Sequence, residues 1–222
     1  MSFSHPRSRL LLFAREPVAG AVKTRLQPSL GPERTLALHC DLIRYTWRAL
    51  IAARVAPVEL WVAGDPRHPL FSGLCPEDRI HQQQGEDLGE RMSYAAADAL
   101  SRSTRVVLVG ADCPVIDKAY LIEALTVLDH GREVVIGPAE DGGYVLLGLR
   151  GPSKNMLRDS SPAVFEQLFS GIPWGTETVT AASIERLQGA GRDFGLLAPR
   201  WDVDRPEDLA RLRALSPVFG EY

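Results

Sequence analysis

Phe13-Ala14-Arg15-Glu16-Pro17-Val18-Ala19-Gly20-Ala21-Val22-Lys23-Thr24-Arg25-Leu26 continues the apolar run Leu10–Ala14, and Gly110-Ala111-Asp112-Cys113-Pro114 continues the apolar run Val106–Val109. Short runs of this kind read as strands buried on both faces, the mark of a parallel sheet. In open α/β sheets, ligands bind beyond the carboxyl ends of the strands. If these two strands are parallel, the basic loop and the acid leave the same sheet edge. The loop then brings Gly20 and the cations Arg15, Lys23 and Arg25; the second piece brings the carboxylate of Asp112. Cations for phosphate oxygens and an acid for a divalent ion together suit a metal–nucleotide site.

Working outward, apolar runs alternate with helical patterns, which predicts an α/β fold. Leu36, Cys40, Ile43, Trp47 and Leu50 recur at helical spacing and mark a helix from Pro32 to Arg54. Pro57–Ala63 alternates as a strand, Asp87–Leu100 reads as a helix, and Val106–Val109 is short and apolar enough for the middle of the sheet. Asp117 is placed to cap a helix carrying Leu121, Leu125 and Leu128. Val134–Ile136 and Tyr144–Leu149 flank Asp141-Gly142-Gly143, which predicts a hairpin and so a mixed, mostly parallel sheet. Pro162–Phe169 and Glu177–Gln188 read as helices, Phe194–Leu197 as a last strand and Arg205–Leu215 as a closing helix. No repeat or long linker interrupts residues 1–222, which are read as a single domain.

Composition narrows the function classes. The chain has 222 residues, 45% of them hydrophobic, and a formal net charge of -3. That balance argues against a nucleic-acid binder, which normally carries a basic face. Cys40, Cys75 and Cys113 are widely spaced and odd in number, so neither a disulfide framework nor a zinc site follows, and a reducing cytoplasm is the simple expectation. No run approaches the roughly 20 apolar residues of a membrane span.

The basic loop lacks the Walker A and GxGxxG patterns. Gly20 would let backbone amides approach an oxyanion, Lys23 would act as a point charge, and Arg25 could grip a phosphate through two donors. The plain alternative is a solvated loop with clustered cations. Asp112 at a strand end is placed as a magnesium or manganese ligand, or as a turn-former before Pro114. Asp202 and Asp204 share side-chain parity and could face one ion. Asp204, followed by Pro206 and Glu207, is equally a helix-cap signal. Asp141 could bind or deprotonate an acceptor hydroxyl, Gly142 and Gly143 would let backbone pass close to a ligand, and Tyr144 could stack on a ring or lie in the core. Gly85 opens a helix whose amides could meet an anion, Asp87 being a plain cap. Trp174, in Trp174-Gly175-Thr176, is a stacking platform or ordinary packing.

At these residues the chain resembles the GT-A nucleotide-diphospho-sugar transferase superfamily. More narrowly, it resembles a bacterial and archaeal family of provisionally assigned glycosyltransferases associated with radical-SAM, selenium-related and arsenosugar gene neighbourhoods. The matching pieces are Phe13–Leu26, Gly110–Pro114, Gly137–Gly148, Phe169–Thr176 and Asp202–Leu209, in the family's order. The resemblance implies a GT-A fold, a nucleotide-sugar ligand, a small-molecule acceptor and Mg2+ or Mn2+. It places Lys23 and Arg25 on the nucleotide phosphates and Asp112 at the metal-binding acid. The usual Asp-x-Asp stands here as Asp112-Cys113-Pro114, without its second acid, which leaves Asp202 or Asp204 to complete the site. Glycosyl transfer from a nucleotide-diphospho-sugar is the leading expectation. Nucleotidyl transfer from a nucleoside triphosphate to a phosphorylated small molecule is the nearest alternative, and a non-catalytic nucleotide-sugar binding protein the third.

Overall fold

The computed structural model describes residues 2–151 and 168–222. Seven strands form one sheet: β1 (Ser8–Arg15), β2 (Val58–Ala63), β3 (Ile80–Gln82), β4 (Arg105–Gly110), β5 (Val134–Pro138), β6 (Tyr144–Arg150) and β7 (Phe194–Leu196), in the order β3-β2-β1-β4-β6-β5-β7. β1 is parallel to both β2 and β4, and β6 alone is reversed, antiparallel to β4 and β5. The sheet is therefore mixed and mostly parallel, and Val106–Val109 lies at its centre, as the apolar run predicts. The register Phe13↔Gly110 puts the ends of β1 and β4 side by side, so the basic loop and Asp112 do share one edge.

Side-chain alternation sorts the core onto two faces. Leu10, Leu12 and Ala14 pack with Ile43, Trp47 and Leu50 of α1 (Gln27–Ala53) and with Leu121, Leu125 and Leu128 of α4 (Lys118–Asp129). Leu11 instead faces Met92, Ala95, Ala96 and Ala99 of α3 (Leu88–Leu100) and Leu187 of α5 (Val179–Gly189). Each fully buried Leu or Ile among them contributes about 1.5–3 kcal/mol. A third cluster joins Leu26, Leu38 and Leu42 to Val203, to Leu209 and Leu212 of α6 (Asp208–Leu215), and to Phe219. α2 (Pro69–Ser72) is a single turn.

The elements follow the sequence expectations with specific departures. α1 breaks at Gly31 (φ 76°), so its long arm starts at Pro32, as the periodicity predicts. Asp117 and Asp87 cap α4 and α3, accepting from Tyr120 N and Glu90 N. β3 escapes the sequence reading because three residues, two of them polar, leave no alternation to read. The expected helix Pro162–Phe169 falls largely outside the described residues, of which Leu168 and Phe169 are helical. The closing helix begins at Asp208 rather than Arg205, and the turn just before it is closed by Asp208, whose carboxylate accepts from Asp204 N (3.0 Å) and Arg205 N (2.7 Å). Asp204 is not the helix cap: Glu207 precedes α6 without a side-chain cap bond, and the Asp204 carboxylate turns instead to Arg25. Among the described residues, no helix is long and apolar enough to cross a membrane.

Candidate active site

The loop after β1 is pinned at both ends. At its start, the Glu16 amide donates to Ala63 O (2.8 Å), the Glu16 carboxylate accepts from Asp65 N (2.9 Å), and His39 Nε2 lies 2.9 Å from the Arg15 carbonyl. Burial, aided by the nearby Lys23 charge, holds the His39 imidazole below its ordinary pKa. At its end, Leu26 is fully buried in the third cluster. Between them, Gly20 takes φ 80° with open space where a Cβ would lie, so it serves the turn rather than a close contact. Lys23 also sits in the left-handed region, φ 47° and ψ 42°, capping the short turn Thr24–Leu26. A non-glycine residue there is uncommon and needs support from its surroundings.

Lys23 finds that support in Asp112: its Nζ donates to Asp112 Oδ2 at 2.8 Å, with the lysine side chain 8% exposed and the aspartate 42%. Burial works against the ammonium, but Asp112, then Asp204 and Asp202, outweigh it and raise its pKa. Burial likewise opposes the Asp112 carboxylate, and the Lys23 charge outweighs it and lowers that pKa. Arg25 Nη1 meets Asp204 Oδ2 at 2.5 Å on the exposed side of the loop. The Asp112 carbonyl accepts from Val203 N (2.9 Å), and Cys113 Sγ donates to Trp201 O (3.3 Å), so residues 201–204 are sewn to the end of β4. Val203 is fully buried, with Asp202 and Asp204 only partly so on either side. Burial, then the Asp112 and Asp141 carboxylates, push the Asp202 pKa up to about 7. Asp141 also reinforces the charge on Arg25. Lys23, Arg25, Asp112, Asp141, Asp202 and Asp204 therefore form one electrostatic group, although they lie on four separate segments of chain.

Beside that group, past the ends of β1, β2 and β3, lies an open cavity of about 410 Å³. It brings together Arg15 and Gly85, which the sequence singled out, with Glu16, Gly64, Gln82, Gln83 and Arg91, which it did not. Gln83 is oriented by donating through Nε2 to Trp61 O (2.9 Å), and Arg91 by donating to Gly85 O (2.9 Å). Gly85 (φ 134°) lies so near the first turn of α3 that a Cβ would come within 2.5 Å of Glu90 Cβ. The signal that could have found Gln83 was its place at a strand end, hidden with β3 itself.

The Asp141-Gly142-Gly143 turn docks on the start of α5. Thr180 N donates to Gly142 O (3.0 Å), and a Cβ on Gly142 would lie 1.9 Å from Glu177 O. Tyr144 and Trp174 meet edge to face at 6.1 Å, with Phe169 6.5 Å from the indole and Gly89 directly beneath it. Burial raises the Tyr144 pKa. Both aromatics thus make packing contacts, while the exposed Thr176 bonds through Oγ1 to Pro173 O and Thr178 Oγ1.

The carboxylate oxygens around Lys23 are hard donors of the kind that suits Mg2+ or Mn2+. Among the described residues, however, no three His, Cys, Asp or Glu side chains are gathered closely enough to hold a metal as they stand. Asp112 and Asp204 are turned instead to Lys23 and Arg25.

Comparisons with known proteins agree with this architecture. The profile of the family described as "Uncharacterized protein conserved in bacteria (DUF2064)" matches residues 46–176. A crystal structure from Desulfovibrio desulfuricans G20, of a protein provisionally assigned as a nucleotide-diphospho-sugar transferase, is 29% identical over 98% of each chain, with a TM-score of 0.77. The 4-diphosphocytidyl-2C-methyl-D-erythritol synthase of Anaerococcus prevotii DSM 20548 is 11% identical over 95% of this chain and 96% of that one, with a TM-score of 0.60. A Mycobacterium tuberculosis H37Rv protein in complex with manganese is 18% identical over 94% and 98%, with a TM-score of 0.53. At such low identity the last two show the fold alone. No curated protein matches the sequence. The α/β fold is that of the nucleotide-diphospho-sugar transferases.

Proposed function

We propose that this chain, which belongs to the DUF2064 family, is a transferase that uses a nucleotide-diphospho-sugar and passes the sugar to a small-molecule acceptor. The observation that carries this reading is the gathering of Lys23, Arg25 and Asp112 at the carboxyl edge of the sheet, beside a cavity of about 410 Å³. The cavity suits a nucleobase: its lining mixes small apolar residues, Val18, Ala21 and Ala63, with the amides of Gln82 and Gln83 and the cations Arg15 and Arg91. Lys23 and Arg25 would then bind the diphosphate and stabilise the charge that develops on it as it leaves. Asp141, exposed on its turn and within electrostatic reach of Asp202 and Arg25, would orient or deprotonate the acceptor hydroxyl. The edge-to-face pair Tyr144 and Trp174 would form the acceptor-side wall, with Gly142, Gly143 and Thr176 at its margin.

Asp112, with Asp202 or Asp204, would hold Mg2+ or Mn2+, which supplies charge neutralisation for the leaving diphosphate. The M. tuberculosis protein of the same fold, solved in complex with manganese, supports a divalent cation for this fold, while the residues that would hold it are read from this chain alone. Nucleotidyl transfer from a nucleoside triphosphate is the second reading, favoured by the shared fold of the A. prevotii synthase and by the same Lys23, Arg25 and Asp112 geometry.

Product analysis by mass spectrometry tests both. The protein is incubated with Mn2+ or Mg2+ and either a pool of nucleotide-sugars with candidate acceptors or a pool of nucleoside triphosphates with sugar phosphates. Nucleoside diphosphate released from the first pool supports glycosyl transfer; pyrophosphate and a new nucleotide conjugate from the second replace it with nucleotidyl transfer. Asp112→Asn is expected to lower either activity by roughly a hundredfold or more while the far-UV spectrum stays unchanged. Activity within a fewfold of the unmodified chain would remove Asp112 from the machinery.

A further inference from the structure

Lys23 is bound to the very carboxylate that the proposed function assigns to a metal. Its ammonium lies 2.8 Å from Asp112 Oδ2, its side chain is 8% exposed, and its backbone holds a left-handed conformation at φ 47°. The Lys23 charge is felt by Asp202 and Asp204 as well, so one ammonium faces three carboxylates. A divalent cation seeking the Asp112 oxygens meets a like charge already seated on them, and the repulsion at this range is severe in a partly desolvated site. A phosphate changes the balance, because it offers the lysine a second anion. Lysine is suited to such an exchange: it is a point charge on a flexible stem, with no fixed fork of donors to break.

We propose that Lys23 is the resident cation of this acidic site in the free protein, and that a nucleotide phosphate must draw it away from Asp112 before a divalent cation binds. Resting on the nucleotide-dependent reading above, this makes cation and nucleotide bind as a pair. Coupling of this kind is reciprocal, so the cation strengthens nucleotide binding by the same factor as the nucleotide strengthens cation binding. The arrangement also accounts for a lysine held in an uncommon backbone conformation: the loop is set so that the ammonium reaches the end of β4.

Mn2+ titration of the full chain without nucleotide, followed by electron paramagnetic resonance, tests the proposal. Lys23→Met is expected to bind Mn2+ at least about tenfold more tightly than the unmodified chain, and Lys23→Met with Asp112→Asn is expected to lose that gain. Affinities within about twofold of each other in the unmodified chain and Lys23→Met, including no binding by either, would overturn it. A second measurement needs no substitution. The chain has three lysines, Lys23, Lys118 and Lys154, so the 15N-labelled side-chain ammonium groups are separable by NMR. The Lys23 signal is expected to hold still on Mg2+ alone and to move when a nucleoside diphosphate is added. Displacement by Mg2+ alone would overturn the proposal. If no nucleoside diphosphate binds under any condition, the nucleotide reading falls, while the Mn2+ comparison still decides whether Lys23 excludes the cation.

Discussion

Gly142 is the position at which one methyl group should do the most damage. It holds φ 92°, where an L side chain is strained, and its Cβ would stand 1.9 Å from the backbone oxygen of Glu177. That neighbour is main chain at the approach to α5 and cannot swing aside as a flexible side chain could. Gly142→Ala must therefore lift the turn off α5, which breaks the bonds from Thr180 N to Gly142 O (3.0 Å) and from Thr180 Oγ1 to Gly143 O (2.5 Å). The backbone strain costs about 1–3 kcal/mol. With about 0.5–1.5 kcal/mol for each hydrogen bond, the loss is roughly 2–6 kcal/mol. At about 2–4 °C per kcal/mol for a chain of this size, the melting midpoint should fall by roughly 4–24 °C. Gly143→Ala is the control, because its Cβ would meet only Asp141 Oδ1 at 3.3 Å and Ala139 Cβ at 3.9 Å, at ordinary φ. Its cost should stay under about 1 kcal/mol. Thermal unfolding followed by circular dichroism reads both variants. A Gly142→Ala midpoint within about 1 °C of the unmodified chain would show that the turn is not clamped to α5, and with it would go the positioning of Asp141.

Phe219 is fully buried, meets the Tyr45 ring at a tilt with centroids 5.1 Å apart and shares its cluster with Leu26 at the end of the basic loop. Phe219→Ala should destabilise the chain by about 3–5 kcal/mol in denaturant unfolding, and a loss below about 1 kcal/mol would show that the C-terminal cluster does not anchor that loop. Burial pushes the thiol of Cys113 up to about 12 and that of Cys75 to about 11. A raised thiol pKa means less thiolate, so at pH 8 only roughly one in ten thousand and one in a thousand of these groups are reactive. Iodoacetamide at pH 8 should label Cys40 first and leave the other two until guanidinium unfolds the chain, with native-state rates rising as pH climbs toward 11; rapid native labelling of Cys113 at pH 8 would contradict its burial against Trp201.

The strands and helices that are long or strongly patterned were legible because burial imprints a period on the sequence. β1, β4, the long arm of α1 and the β5–β6 hairpin belong to this group. The elements implied an α/β fold with a mixed sheet, and the resemblance carried by the ordered motifs implied the nucleotide-diphospho-sugar transferase fold. What periodicity could not reach was β3, three residues long, and with it the cavity wall at Gln82 and Gln83. Periodicity could not tell where α6 begins either, since only the path of the turn at residues 204–208 leaves Asp204 too far upstream to cap it.

Two buried strands, one followed by a basic loop and the other by an acid, were legible in residue type and order alone, because burial acts on both; the parallel register Phe13↔Gly110 is what brings loop and acid to one edge. The partners within the charged group came from packing: Lys23 meets Asp112, and Arg25 meets Asp204. Those pairings span 89 and 179 residues, and they depend on Val203 being bonded to the Asp112 carbonyl and on Leu26 being buried under α6. Charge has no period along a chain. Which cation meets which carboxylate is set by the distances that packing imposes.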